Sequence, residues 1–112
     1  MKLITAIIQP EKFEAVKAAL LEADVHGITV SEASGYGRQR GHTEIYRGVE
    51  HTVDLIAKVR IDIVTTDQLV DSLVECIVKA AQTGQVGDGK IWVTDIEKLV
   101  RVRTGDENEA AL

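Results

Sequence analysis

A glycine-rich segment late in the chain is the clearest candidate for anion chemistry. It extends from Thr83 to Lys90 and contains three glycines, an aspartate and a terminal lysine. Glycines let backbone N–H groups approach an anion closely, and the lysine adds a positive charge. The segment therefore suits a phosphate cradle. An ordinary hairpin turn has a similar composition, and the local pattern leaves both interpretations open.

Part of this segment has the spacing of a Walker A motif, which Gly84, Gly89 and Lys90 match. Ile91, however, stands where that motif has a serine or threonine to hold Mg²⁺, and a strand rather than a helix is predicted to follow. The segment is therefore not a conventional P-loop.

Two further basic clusters could meet the same anion. Arg101 and Arg103 alternate on a predicted short strand from Val100 to Arg103, which would place both guanidinium groups on one face. Planar guanidinium groups can clamp phosphates with several donors. The second cluster lies between Gly37 and Gly41. Each could instead be solvated surface, but three anion-suited clusters in one acidic chain favour a binding role.

Catalysis has little support in the residue types. His26, His42 and His51 lack the spacing of metal ligands, and Ser34 and Ser72 lie in no nucleophile motif. One enzymatic alternative is a phosphotransferase that uses a nucleotide. It would need a nucleophile such as a histidine beside the phosphates, and neither the glycine-rich segment nor the arginine pair contains one.

The composition is that of a single ordinary domain. The chain has 112 residues, of which 45% are hydrophobic and 28% charged. A net charge of -5 disfavours a protein that coats nucleic acid. The single cysteine, Cys76, excludes an internal disulfide and fits a reducing compartment such as the cytoplasm. No apolar run approaches the roughly 18 residues of a membrane span.

Apolar periodicity predicts strand, helix and strand in the first half. Branched apolar residues from Leu3 to Ile8 predict a strand. Pro10 suits the first turn of a helix, and an apolar stripe from Phe13 to Ala23 indicates that the helix is amphipathic. A second strand is predicted from Ile28 to about Ala33.

The second half repeats this order. Alternating residues from Leu55 to Val64 predict a third strand. Thr65 and Gln68 resemble a capping box at the start of a helix that reaches Ala81. A fourth strand is predicted from Lys90 to Val93.

The stretch between the two halves differs from both. From Gly35 to Val53 it is rich in glycine and charge and has no apolar periodicity, which indicates a long exposed loop with a function. The whole order predicts an α+β fold, a ferredoxin-like split βαβ sandwich. Two helices cover one face of such a sheet, so the mixed second face is open to self-association. The acidic tail, 106–112, is expected to fray.

Three long motifs resemble the PII family of nitrogen-regulatory signal-transduction proteins. They run from Gly35 to Gly48, from Thr83 to Val93 and from Arg101 to Gly105. The likeness covers essentially the whole chain. It implies one PII-like domain over 1–112, with a mobile T-loop at 35–54.

The resemblance also implies a homotrimer with three ATP or ADP sites between subunits. The expected nucleotide-binding residues are Thr29, Gly37, Arg38, Gln39, Asp62, Val64, Thr83, Gly87, Asp88, Gly89, Lys90, Arg101 and Arg103. Mg²⁺-ATP would recruit 2-oxoglutarate, with Gln39 as the metal ligand and Lys58 paired with a carboxylate. The expected effector-binding residues are Gln39, Arg40, Gly41, Lys58 and Gly87.

The implied function is signalling rather than catalysis. Family members sense nitrogen, carbon and energy status and regulate an ammonium channel and enzymes or regulators of nitrogen assimilation. On this basis the expected partner-binding residues are Tyr46, Arg47 and His51, with Arg47 plugging the channel. No direct nucleic-acid contact is expected, and membrane contact only through the channel.

Several positions depart from the family pattern. His51 replaces a tyrosine that is commonly nucleotidylated, and Val49 replaces a position where serine is phosphorylated, so neither modification is expected; Tyr46 remains as an alternative acceptor. The further departures are Gln9 (commonly lysine), Ala57 (commonly proline) and Asp62 (usually glutamate). The alternative within the family is therefore a PII paralogue with an altered effector or partner and no covalent modification.

Overall fold

A computed structural model describes residues 1–37 and 55–112, together with the backbone of two short strands at 43–46 and 49–52. The strands are β1 (Lys2–Ile8), β2 (Thr29–Gly35), β3 (Thr43–Tyr46), β4 (Val49–Thr52), β5 (Ile56–Thr65) and β6 (Gly89–Asp95). The helices are α1 (Phe13–Glu22) and α2 (Val70–Ala81), with 3-10 turns at Pro10–Lys12, Asp67–Leu69 and Asn108–Ala111.

The main sheet has the strand order β2-β5-β1-β6, with antiparallel neighbours throughout. Ile4 of β1 lies opposite Ile63 of β5 on one side and Val93 of β6 on the other. Four antiparallel strands with two helices form the predicted α+β, ferredoxin-like fold. β2 and β6 are the two opposite edges of this sheet.

The hydrophobic core lies between one face of the sheet and the two helices. Alternate residues of β1 and β5 point to this face, because side chains along a strand alternate in direction. The buried core residues are Ile4, Ala6, Ile8, Val16, Leu20, Ile61, Ile63, Leu73, Ile77 and Ala81. The apolar periodicity therefore predicted both the strands and the face that they bury.

The opposite face of the sheet, here called the open face, carries mixed side chains, as the alternation in the third predicted strand indicated. Thr5 is 1% exposed, whereas Trp92, its neighbour on β6, is 42% exposed. Arg60 and Asp62 of β5 form an ion pair on the same face. Among the described residues, neither α1 nor α2 has the length and apolar character of a membrane-spanning helix.

The predicted capping box at Thr65 is wrong. Thr65 is the last residue of β5, where it pairs with Lys2 and is only 5% exposed. The cap position belongs to Thr66, whose side chain makes no capping hydrogen bond. A 3-10 turn, Asp67–Leu69, then leads into α2. Pairing with β1 keeps Thr65 in extended conformation, and this tertiary contact overrides the local capping pattern.

A two-stranded ladder lies within the predicted loop. β3 and β4 pair with Thr43 opposite Thr52 and Tyr46 opposite Val49. The lack of apolar periodicity in this stretch gave no indication of the pairing. Gly35, assigned to the loop from the sequence, is the last residue of β2.

Candidate functional site

The glycine-rich segment folds around the carboxylate of Asp88. One oxygen accepts the backbone N–H groups of Thr83 (2.7 Å) and Gly84 (2.9 Å). The other accepts the hydroxyl of Thr83 (2.5 Å) and the amide Nε2 of Gln9 (3.2 Å). These donors, led by the Thr83 hydroxyl, lower the pKa of Asp88 to about 2. An ionised carboxylate thus holds the segment, here called the glycine turn (83–90), in one shape.

Gly89 brings the end of this turn against the central strand. Its φ is +108°, and a Cβ at this position would overlap the backbone carbonyl of Ile7. Only glycine fits such a close approach of two backbones. Because β6 begins at Gly89, a strand rather than a helix follows the turn, which confirms that it is not a conventional P-loop.

One lysine ends the glycine turn and a second lies beside it. Lys90 pairs with Ile7 in the sheet register and has an exposed side chain. Lys58 of β5 donates from Nζ to the carbonyl oxygen of Gly87 at 2.6 Å. Two residues predicted for the effector, Lys58 and Gly87, are therefore in direct contact.

Open space also borders the turn. A groove of about 370 Å³ is lined by residues of β1, α2 and β6, including Gly89 and Lys90, and by Asp88 of the turn itself. The turn is thus accessible to a ligand from the side of this groove.

A second group of predicted nucleotide residues lies across the sheet. Thr29 of β2 is opposite Asp62 of β5, and Val64 follows two residues along β5. Asp62 accepts hydrogen bonds from the Thr5 hydroxyl (2.7 Å) and from Nε of Arg60 (3.0 Å). Partial burial opposes ionisation, but the bonds from Arg60 and Thr5 and the charge of Arg60 outweigh it, so the pKa of Asp62 is lowered. Asp62 is therefore an ionised acceptor on the open face.

The sheet order separates one member of this group, Thr29, from Lys90 at the end of the glycine turn. Thr29 lies on edge strand β2, whereas Lys90 lies on edge strand β6, with β5 and β1 between them. Three strand spacings amount to about 14 Å. A single chain therefore does not place Thr29 beside Lys90.

The predicted strand from Val100 to Arg103 is wrong. Val100 forms only an isolated bridge with Glu107. The backbone then turns, and the N–H of Gly105 (φ +72°) donates to the carbonyl of Arg101 at 2.8 Å. A Thr-Gly-Asp sequence favours turning over strand extension, since its glycine supplies the positive φ. The period-two argument that placed both arginines on one face therefore fails.

The two arginines have different surroundings. Arg101 donates to Asp106 and to the main-chain oxygens of Ala110 (3.1 Å) and Leu112 (3.0 Å). Arg103 is exposed and has no ion-pair or hydrogen-bond partner within the described ranges. The tail expected to fray instead forms a 3-10 turn at Asn108–Ala111. No local sequence pattern indicates this contact or the bond from Gln9 to Asp88.

Of the remaining predicted site residues, one is described by the structure and the others lie outside the described side chains. Gly37 is described and exposed. The other predictions in this region lie outside the described side chains: Arg38, Gln39, Arg40, Gly41, Tyr46, Arg47 and His51. Among the residues that are described, no group of three or more His, Cys, Asp or Glu side chains could hold a metal.

These features define a small α+β protein of the ferredoxin-like class, in which a glycine turn and several cations border an open sheet face. The family model described as "Nitrogen regulatory protein P-II" matches residues 1–106. Over 112 residues, the whole length of both proteins, the chain is 53% identical to the nitrogen regulatory protein P-II of Klebsiella oxytoca. It is 52% identical, again over the full length of both, to P-II 1 of Escherichia coli K12 and to P-II of Pasteurella multocida.

The chain therefore belongs to the P-II family of nitrogen regulatory proteins, which confirms the resemblance found in the sequence. These relatives are named as regulatory proteins, which points to a family that signals rather than catalyses.

Proposed function

We propose that this protein signals nitrogen, carbon and energy status by binding ATP or ADP and, together with Mg²⁺-ATP, 2-oxoglutarate. It acts as a cytoplasmic homotrimer with nucleotide sites between copies. The supporting observation is the glycine turn, in which protein donors occupy Asp88 while Lys90 stays exposed, without an ion-pair partner among the described residues. A polyphosphate can therefore approach Lys90 without first breaking an ion pair.

The phosphates are bound from two sides of the site. Lys90 supplies a compact charge at the glycine turn, and Arg103 supplies a planar fork from an exposed turn. Charge-assisted hydrogen bonds of this kind are about twice as strong as neutral ones. Gln39, the proposed Mg²⁺ ligand, lies in the 35–54 segment outside the described residues.

The base and ribose are bound by the opposite edge of a second copy. Thr29, Asp62 and Val64 lie on the β2–β5 side of the sheet, away from β6. A second copy whose β2 edge faces the β6 edge of the first completes the site. The ionised carboxylate of Asp62 then accepts hydroxyl donors of the ribose. The separation of Thr29 from Lys90 within one chain is the argument for assembly.

The effector 2-oxoglutarate binds at the contact between Lys58 and Gly87. Two carboxylates beside a polyphosphate repel it unless cations offset the charge. Lys58 already holds its ammonium group at the glycine turn, 2.6 Å from the Gly87 carbonyl. A carboxylate there gains a charge-assisted bond to Lys58.

Signalling passes through the 35–54 segment. The proposed partners are an ammonium channel and enzymes or regulators of nitrogen assimilation, contacted by Tyr46, Arg47 and His51. Ligands shift such a segment only if they bind its conformations with different affinity. With His51 and Val49 in place of the usual acceptors, the segment works without nucleotidylation or serine phosphorylation.

Calorimetry with ATP and Mg²⁺ tests the nucleotide site. Lys90→Gln removes the exposed charge and should weaken ATP binding roughly tenfold or more. Lys17→Gln removes an equally charged, exposed side chain from α1 and should leave affinity unchanged. Failure of the unaltered protein to bind ATP, or equal affinity of the two variants, would contradict the proposal.

The same titration tests the effector. Heat from 2-oxoglutarate should appear only when Mg²⁺ and ATP are present, and Lys58→Gln should abolish it while ATP still binds. If 2-oxoglutarate gives no heat under any of these conditions, the altered-effector alternative replaces this part of the proposal. Sedimentation of the protein should give the mass of three chains.

A further inference from the structure

The guanidinium group of Arg101 is engaged by the C-terminal segment of its own chain. Both contacts of NH2 are to main-chain oxygens, those of Ala110 at 3.1 Å and Leu112 at 3.0 Å. NH1 contacts the carboxylate of Asp106 at 3.4 Å. The side chain is 33% exposed. The segment 106–112, here called the tail strap, thus covers one edge of the arginine.

The tail strap is held along its length by further contacts. The N–H of Asn108 donates to the carbonyl of Leu99 at 2.7 Å, and the N–H of Leu99 donates to the side-chain oxygen of Asn108 at 3.3 Å. Glu107 forms an ion pair with Lys98 at 3.1 Å. Arg101 donates its own backbone N–H to the carbonyl of Asp106 at 2.9 Å. These contacts dock the strap in a defined position against Arg101.

This arrangement conflicts with a bidentate phosphate clamp. A guanidinium group has five N–H donors, and paired contacts to one phosphate use NH2 together with either NH1 or Nε. Both NH2 hydrogens of Arg101 are taken by main-chain oxygens. A phosphate can therefore reach Arg101 through single contacts only, unless at least one of these two oxygens moves away.

The negative charge of the tail strap also opposes phosphate binding at Arg101. Asp106, Glu107 and Glu109 are carboxylates within the segment that covers the arginine. They repel an incoming polyphosphate, and Asp106 also competes with it for the guanidinium group of Arg101. A phosphate is nevertheless a stronger acceptor than the neutral carbonyl of Ala110. A polyphosphate can therefore displace the strap. The free-energy cost of this displacement lowers the net affinity of the site for the polyphosphate.

We propose that the tail strap is an autoinhibitory element that competes with a nucleoside polyphosphate for Arg101. The inference rests on the proposed function, because it concerns regulation of the same nucleotide site. Linkage makes the competition reciprocal: a strap that weakens nucleotide binding is itself released when the nucleotide binds. Occupancy of the site is thereby reported by the tail strap.

The principal test removes the two main-chain acceptors. A chain that ends at Glu109 lacks Ala110 and Leu112, and its ATP affinity by calorimetry should rise about fivefold, the lower end of typical coupling between sites. The same truncation in an Arg101→Ala background should change affinity little, because the group under competition is gone. This cycle separates release of Arg101 from any general effect of losing the tail.

A second variant keeps the chain at full length. Asn108→Ala removes the side-chain acceptor that ties the strap to Leu99, and it should raise ATP affinity in the same direction but less. Circular dichroism confirms that each variant folds. In the unaltered protein, saturating ATP should speed hydrogen exchange at the Asn108 amide, which the docked strap protects.

The outcomes distinguish the two proposals. If ATP binds the truncated and full-length chains equally, or the truncated chain more weakly, the strap positions or ignores Arg101 and the autoinhibition is wrong, while the nucleotide site stands. If no variant binds ATP, both proposals fall. Slower exchange at Asn108 on adding ATP would also overturn the release of the strap.

Discussion

Two turns of this molecule are each organised by one aspartate, yet they leave their cations in opposite states. In the glycine turn, Asp88 accepts from backbone N–H groups, a hydroxyl and an amide, and Lys90 remains exposed. In the turn that follows Arg101, Asp106 accepts from the Thr104 hydroxyl at 2.9 Å and from Arg101 itself. The carboxylate of Asp88 therefore holds the backbone of its turn, whereas the carboxylate of Asp106 contacts the guanidinium group of Arg101.

The comparison shows that residue type alone does not tell which cation is available to a ligand. Lys90 and Arg101 are both basic residues in short polar turns, and the sequence assigns them the same role. Their availability depends on where the neighbouring carboxylate finds its donors. The glycine turn supplies backbone donors to Asp88, and the second turn supplies a guanidinium group to Asp106.

The largest expected effect comes from the backbone of the glycine turn. Gly89→Ala places a Cβ on the Ile7 carbonyl at a positive φ. Overpacking and backbone strain together should lower the free energy of unfolding by about 3 kcal/mol or more. Gly84→Ala is the matched control, since its φ is also positive but nothing lies within 4 Å. It should lower stability by about 1 kcal/mol in urea unfolding. Similar losses for both would show that the turn does not depend on its contact with β1.

Replacing the organising carboxylate should have a smaller effect, and one that depends on pH. The pKa of Asp88 is lowered to about 2 in the folded chain, against an ordinary 3.8. Its stabilisation is therefore fully present above pH 3.8 and is lost as the pH falls towards 2. At pH 6 the Asp88→Asn variant should have a lower urea midpoint of unfolding than the unaltered protein. The difference between the two midpoints should shrink between pH 4 and pH 2.

The direct measurement is a carbon-13 NMR titration of the Asp88 carboxyl, which should have its midpoint near pH 2. In the urea experiment, Glu97→Gln removes a carboxylate at another exposed position and is therefore the control for Asp88→Asn. A midpoint near 3.8 would mean that Asp88 does not organise the turn, and the contrast with Asp106 would disappear.

The smallest effect is expected at the outer ion pair of the tail strap. Lys98 and Glu107 are 3.1 Å apart, with side chains 64% and 56% exposed. Exposed pairs of this kind contribute about 0.2–1 kcal/mol. Lys98→Gln should therefore change the urea midpoint only slightly and leave the docking of Asn108 intact. A large loss would place the anchor of the strap at Glu107 rather than at Arg101.

The fold was predictable because its core follows simple periods. Alternation at Ile61 and Ile63 identified both the strand and its buried face, and the stripe through Val16 and Leu20 identified α1. Prediction failed where a distant contact decided the local structure. Thr65 has a capping pattern in sequence, but its pairing with Lys2 makes it the end of a strand.

The candidate site was predictable to a similar extent. The glycine turn was found because glycines, an aspartate and a lysine are adjacent in sequence. The bond from Gln9 to Asp88 joins residues 79 positions apart, and no local pattern indicates it. The capture of Arg101 depends on a reversal at Gly105 that returns the chain to the arginine. The strand predicted from Val100 to Arg103 pointed to an extended chain, so the reversal and the contact that it makes possible were not predicted.

The position of β1 has a consequence for the order in which the molecule can assemble. β1 precedes both of its partners in the chain, yet it is one of the two inner strands of the sheet, and it pairs with β5 (Ile56–Thr65) on one side and with β6 (Gly89–Asp95) on the other. Lys2 meets Asp95 across 93 positions. Contacts between residues so far apart in sequence form slowly, and the sheet cannot be completed until β6 has been synthesised. Until then one edge of β1 is unpaired, and an unpaired strand edge is prone to associate with other chains.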